Sequence, residues 1–241
     1  MTEPTAMLAA LRASSADLMN GLAEHQWSED DLRAPSLCEG WSRGHVLTHL
    51  ARNADGISTT LSGALRGEVV HRYPDGWDAR NAEITAGATR GVAAQVADVE
   101  QSAARLDRVF GAVTEAGLWG AMTDQGHRAD EWPARRLREV EIHRIDLAGT
   151  YRPSSWPSVL VADLLPEAAG TLTGRTTAPL LVRVTAEGSI VPDLVGAQWS
   201  TAGPAPLEVA GPDFALLAWL VGRGSTVSAH LQSQPELTPW G

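Results

Sequence analysis

The segment RRLREVEIHRIDL, Arg135 to Leu147, concentrates groups that bind protons and metals. Glu139 and His143 are four residues apart, so on a helix their side chains sit one turn apart on one face, and Asp146 follows three residues later. Two ligands on consecutive turns can grip one divalent metal when a third comes from elsewhere. The same residues would also make a solvated charged face, where a Glu-x-x-x-His pair contributes about 0.3 kcal/mol. His45 and His49 repeat the four-residue spacing on a second helical stretch, and inward side chains of facing helices build metal sites in helix bundles. Three protein ligands with one position open is the catalytic arrangement for zinc, whereas a closed shell of four is structural. Taken alone, His45 and His49 are more often surface or internally satisfied core histidines.

Other groups are ambiguous at this level. Cys38 reads as a small buried residue, with no neighbour in sequence that marks it as a nucleophile. Trp27, Trp41, Trp77, Trp119 and Trp132 fall in loops or near helix ends, either as lids over a core or as walls of a ligand pocket. Arg223, in LVGRGS, follows an apolar helix and stands between glycines. It could cap the helix C-terminus or present its planar fork to a carboxylate. Arg80 and Asn81, in DARNAEI, pose the same choice at the start of a helix.

The elements that must position these groups are mostly helical over the first 150 residues. AMLAALRASSADLMNGLAEH carries Leu8, Leu11, Leu18 and Leu22 at helical spacing. WSEDDLRAPSLCEGW reads as a loop. SRGHVLTHLARNADGISTTLSGALRG has Ser42 as its N-cap and an apolar stripe of Val46, Leu50, Ile57, Leu61 and Leu65. VVHRYPDGWDAR breaks the pattern at Pro74 and Gly76. A third helix runs through GVAAQVADVEQSAARLDRVFGAV on Val92, Val96, Val99, Leu106 and Phe110, and a fourth from about Arg135 to Ala148. Four amphipathic helices of this length predict an antiparallel bundle over residues 1–150. Its long connections, Trp27–Trp41 and Gly117–Trp132, are of the kind that often carries function. Beyond GTYRPSSWP the pattern changes. SVLVADLLPEAAGTL reads as a helix, PLLVRVTAEGS and PLEVAGP as strands, and PDFALLAWLVGRG as a short apolar helix. Residues 151–241 therefore predict a smaller α+β domain, and the whole chain an α+β class.

The 241 residues, 44% hydrophobic and 20% charged, describe a globular protein rather than a disordered one. A net charge of −10 argues against a nucleic-acid backbone as partner. All 19 basic residues are arginine, which fits a GC-rich genome. The single cysteine excludes an internal disulfide and a cysteine-based zinc knuckle. No apolar run reaches the roughly 20 residues needed to span a bilayer, and the N-terminus lacks the basic start and apolar core of a signal peptide. The expected compartment is the cytoplasm, with no membrane partner.

Four blocks, LCEGWSRGHVLTHLARN, ARNAEI, REVEIHRIDL and LVGRGS, together resemble the mycothiol-dependent maleylpyruvate isomerase family, within the wider group of DinB-like metal-binding bundles. The Gly-Trp…His-Leu and Glu-x-x-x-His-x-x-Asp-Leu blocks are shared by many relatives, while ARNAEI and GRGS are narrower. The resemblance implies one zinc ion held by His49, Glu139 and His143, with Asp146 orienting a metal-bound histidine. It implies Arg223 as a catalytic arginine and Arg80 and Asn81 as substrate-binding residues. The implied activity is cis–trans isomerisation of maleylpyruvate to fumarylpyruvate, the chemistry of gentisate-type aromatic degradation. Mycothiol serves as thiol cosubstrate through zinc-assisted thiolate addition, rotation and elimination. Two other readings stay open: a mycothiol S-transferase for another electrophile, and a non-catalytic metal- or small-ligand-binding module of the same fold.

Overall fold

The computed structural model describes residues 4–226, 230–231 and 234–240. They fall into two compact units that divide between residues 149 and 150. The class is α+β: the first unit is helical, and the second adds a small sheet.

Six α-helices are described in the first unit: α1 (Pro4–Glu24), α2 (Glu29–Arg33), α3 (Arg43–Leu65), α4 (Gly76–Gly87), α5 (Val92–Glu115) and α6 (Trp132–Asp146). Helix α3 is the central element and packs against α5, α4, α6 and α2, while α1 packs on α6 and α5. Its Val46, Leu47, Leu50, Ile57 and Leu61 are essentially without exposed surface, each contributing about 1.5–3 kcal/mol of burial. Ser42 caps α3: its hydroxyl accepts from the His45 backbone N–H, and the His45 ring accepts from the Ser42 backbone N–H. Such a reciprocal cap satisfies two otherwise orphaned donors. It also gives His45 a structural role.

Glycines on α3 let its neighbours approach closely. A Cβ on Gly56 would lie 2.7 Å from both Arg72 Cγ and Tyr73 Cε1, and one on Gly63 would lie 2.6 Å from Val70 Cγ2. The connection from α3 to α4 therefore lies flat on α3 across two turns. Two elements of this unit differ from the sequence expectation. The stretch 27–41, read as a loop, contains α2, a five-residue helix closed by a capping box between Ser28 and Asp31. The break at 69–80 ends earlier, because α4 starts at Gly76, whose φ of 88° suits glycine. Arg80 and Asn81 consequently lie inside α4. Helix α6 begins at Trp132 with Pro133 in its first turn, where the missing N–H costs nothing.

The second unit contains α7 (Ser158–Gly170), α8 (Leu172–Arg175), β1 (Leu180–Val184), β2 (Gln198–Ser200), β3 (Leu207–Gly211) and α9 (Asp213–Leu220). The sheet order is β2-β1-β3, with β2 antiparallel and β3 parallel to β1. Leu180, Val182 and Val184 alternate inward along β1, and all eight residues of α9 are buried, between α7 and the strands β1 and β3. Asp213 ties the unit together: its buried carboxylate accepts from the backbone N–H groups of Ile190, Val191 and Phe214. No helix among the described residues is long and apolar enough to cross a membrane.

Candidate functional site

Helices α3 and α6 bring His49, Glu139 and His143 together, with one ligand atom from each lying within 4.8 Å of the others. His49 Nε2 donates to Glu139 Oε2 at 2.7 Å. His143 Nε2 stands 3.4 Å from the same oxygen, and the two imidazole rings meet edge to face with centroids 4.5 Å apart. Two imidazole nitrogens and a carboxylate oxygen make a donor set that suits zinc with a position left open. All three residues stand on helices, so the cluster is held by rigid elements.

The far side of His143 is equally well defined. Its Nδ1 donates to Asp146 Oδ2 at 2.7 Å, which turns Nε2 toward Glu139. Asp146 is fully buried, and its carboxylate also accepts from the Cys38 thiol at 3.1 Å. Cys38 lies on the connection after α2. That connection is anchored by Leu37 N–H to the Asp146 carbonyl and turned by Gly40, whose φ of 75° is that of the third residue in the Cys38–Trp41 turn. The sequence marked Cys38 only as a small buried residue. Its place beside Asp146 and 3.9 Å from His143 Nδ1 depends on a contact across more than 100 residues of chain, which no local pattern encodes.

The charges follow from these contacts. Burial pulls the His49 imidazole down to about 4, against the hydrogen bond and charge of Glu139, so the ring is neutral at pH 7. Burial also disfavours charge on His143. The bonds to Asp146, Cys38 and Glu139 outweigh it and hold that imidazole well above its usual value. Burial would raise Glu139, but the hydrogen bonds and charges of His143 and His49 keep it well below the ordinary carboxylate range.

Around this cluster lies a shell of arginines and aromatic rings. Arg80, on α4, donates through Nη2 to His49 Nδ1 and through Nη1 to Asn81 Oδ1. Arg72 precedes α4 and places its guanidinium 5.2 Å from the Tyr73 centroid, 5.4 Å from Trp77 and 5.3 Å from Trp132. Arg136, one turn before Glu139, is 2% exposed and donates to the Leu50 carbonyl and Asn53 Oδ1. Burial lowers it to about 10, which leaves it charged.

The tryptophans divide between the two roles open to them in the sequence. Trp132 is buried and donates to Thr123 Oγ1, and Trp119 stacks on Phe110. Trp41 lies against His49, while Trp77 is half exposed beside Tyr73. Arg223 belongs to the second unit. Its backbone N–H donates to the Ala218 carbonyl and its Nη1 to the Val221 carbonyl, so it closes the end of α9.

Comparison with known proteins places the chain in a family. The family described as the mycothiol maleylpyruvate isomerase N-terminal domain matches residues 8–148. Two crystal structures resemble the whole chain. A mycothiol-dependent maleylpyruvate isomerase has a TM-score of 0.83 at 27% identity. A histidine-to-alanine mutant of a mycothiol-dependent maleylpyruvate isomerase has a TM-score of 0.82 at 26% identity. Each alignment covers 100% of both chains. No curated protein sequence matches significantly.

Proposed function

The chain belongs to the mycothiol maleylpyruvate isomerase family, and from that premise we propose that it is a thiol-dependent cis–trans isomerase converting maleylpyruvate to fumarylpyruvate, with mycothiol as cosubstrate. The observation that carries the reading is the convergence of His49, Glu139 and His143 from two helices. These three would hold one zinc ion. Bound there, zinc would supply the Lewis acidity that ionises a thiol of ordinary pKa, about 8.5, at neutral pH.

The chain's own residues supply position and charge. Glu139 is ionised and His49 neutral at pH 7, the forms in which each can ligate. Asp146 fixes the ring of His143, and the Cys38 thiol donates to the same carboxylate oxygen, Oδ2. Cys38 is thus engaged in orientation, and the nucleophile comes from the cosubstrate. The thiolate sulfur adds to the conjugated carbon of the cis double bond, and the electron pair moves onto the adjacent carbonyl as an enolate. The former double bond is then single and rotates. Collapse of the enolate restores the double bond in the trans form and expels the thiolate unchanged. Arg80 and Asn81 are assigned to substrate binding, and Arg223 to stabilising charge on the enolate. The assignment of Arg223 rests on the GRGS block of the family.

An absorbance assay of maleylpyruvate with the purified chain tests the reading. Isomerisation is expected with mycothiol and should be absent in thiol-free buffer, and Cys38→Ala should remain active. Full activity without thiol, lost in Cys38→Ala, would make Cys38 the nucleophile and sink the cosubstrate mechanism. Conjugation of mycothiol to other electrophiles without isomerisation would favour the S-transferase reading.

A further inference from the structure

Two arginines beside the His49 cluster share one pair of aromatic rings. The guanidinium carbons of Arg72 and Arg80 both lie within 5.8 Å of the Tyr73 and Trp77 centroids. Among the described residues neither is ion-paired with a carboxylate. The carboxylates nearby are committed elsewhere or lie at the surface. Asp55 pairs with Arg52 and Arg105, Glu83 is nearest to Arg52, and Asp75 is exposed at the start of α4. Arg72 Nε and Arg80 Nε are both buried without a hydrogen-bond partner. Two like charges held together repel, and buried donors without acceptors cost free energy, unless an anion completes the arrangement. Arg80 directs Nη2 to His49 Nδ1 and Nη1 to Asn81 Oδ1, and each of these terminal nitrogens carries a second N–H that can donate.

Arg72 is placed rather than draped on the surface. Asp124, itself buried, accepts from the Arg72 backbone N–H at 2.9 Å and from the His71 ring. The Asp124 backbone N–H is in turn held by Thr60 on α3. Gly56 leaves the space that Arg72 Cγ and Tyr73 fill. A cavity of about 170 Å³ opens at the same place, lined by Arg52, Arg72, Tyr73 and Arg80 and also by Asp55, Asp75 and Glu83, of which Asp55 is neutralised by Arg52 and Arg105. Its size suits a small acid.

We infer that Arg72 and Arg80 form a dianion subsite beside the metal cluster, each guanidinium taking one carboxylate of a small dicarboxylate, with Arg72 setting the preference for a diacid over a monoacid. The subsite deepens the isomerase reading, on which its catalytic use rests, but its binding chemistry can be measured without turnover. The preference follows because a monoacid satisfies one arginine and leaves the other uncompensated, whereas a diacid satisfies both.

Isothermal titration of the full chain, without thiol, uses maleate as the diacid and crotonate as the monoacid. Wild type is expected to bind maleate at least tenfold more tightly than crotonate. Arg72→Gln, which retains a flat polar group against the rings, should weaken maleate at least tenfold, leave crotonate within about twofold, and keep its metal content. Arg72→Lys, retaining charge without the fork, should fall between them, and melting curves on both variants show whether they fold. Unchanged maleate binding in Arg72→Gln overturns the subsite, as does an equal loss for both acids or a wild type that binds neither. Arg72-dependent maleate binding in a chain that fails to isomerise maleylpyruvate would retire the isomerase reading alone. Isomerisation with wild-type maleate binding in Arg72→Gln would retire the subsite alone.

Discussion

Of the three proposed metal ligands, His143 has the surroundings that most oppose metal uptake. In protein stripped of metal, its contacts to Asp146, Cys38 and Glu139 hold the imidazole protonated above its usual range, while His49 stays neutral down to about 4. The two histidines act on stability in opposite directions. The raised His143 contributes stability that is full below about pH 6.5 and is lost as pH rises through its folded value. The depressed His49 costs stability as pH falls from about 6.5 toward 4. A metal ligated by His143 Nε2 must displace that proton, so zinc binding near pH 7 is expected to release about one proton. Affinity should climb about tenfold per pH unit and level off once His143 is neutral without metal. Titrations in buffers of different ionisation enthalpy measure the release directly. No proton released at pH 7, or full metal occupancy in His143→Ala, would remove His143 from the ligand set. At the same scale Arg80 sets a constraint. It donates to His49 Nδ1, so a ring that ligates through Nε2 and carries its proton on Nδ1 must shed this contact. That leaves the guanidinium available to an anion.

Helix α3 organises the first unit, and its glycines show how one element positions the shell around the cluster. Gly56→Ala would drive a methyl group to 2.7 Å from Arg72 Cγ and Tyr73 Cε1. It should destabilise the protein by about 1–3 kcal/mol through overpacking and weaken dicarboxylate binding together with it. Gly111→Ala on α5 meets nothing within 4 Å and should stabilise by up to about 1 kcal/mol. Thermal melts of the two variants moving in the same direction would contradict this account of close approach. The contrast also explains what the sequence could reveal. Long periodic stripes such as Val46–Leu50–Ile57–Leu61 place α3 without ambiguity, and the four-residue spacing of Glu139 and His143 places both on one face. Helix α2 is only five residues long within a turn-rich stretch, and β2 only three, too short for periodicity to register. Arg72 escaped notice for a different reason. Its partners Asp124 and Trp132 are more than 50 residues away in sequence, and only Tyr73 and Trp77, one turn apart in spacing, hinted at an aromatic cluster. Cys38 reaches Asp146 by the same kind of long-range contact.

At the scale of the molecule, the family match ends at residue 148, at the division between the two units, yet the solved relatives align over the entire chain. The second unit therefore accompanies the helical one in those relatives, and whether it takes part in the chemistry turns on Arg223. Two roles compete for this residue. Its hydrogen bond to the Val221 carbonyl after Gly222, whose φ is 81°, is that of a group closing a helix end. Such a contact at a C-terminus contributes about 0.3–1 kcal/mol, so its loss would lower the melting temperature slightly and leave turnover alone. A cation that meets charge developing on the substrate acts in the transition state, and its loss appears in kcat. Arg223→Lys keeps the charge and loses the planar fork. On the catalytic role it should turn over at least roughly tenfold more slowly, about 1.4 kcal/mol of transition-state stabilisation, with metal content unchanged. Arg223→Ala should fall further, because the charge-assisted hydrogen bond is lost as well. Steady-state kinetics and melting curves on the same two proteins separate the roles: wild-type turnover in Arg223→Ala, with only a small shift in melting, would leave Arg223 a helix-end residue and confine the chemistry to groups of the helical unit.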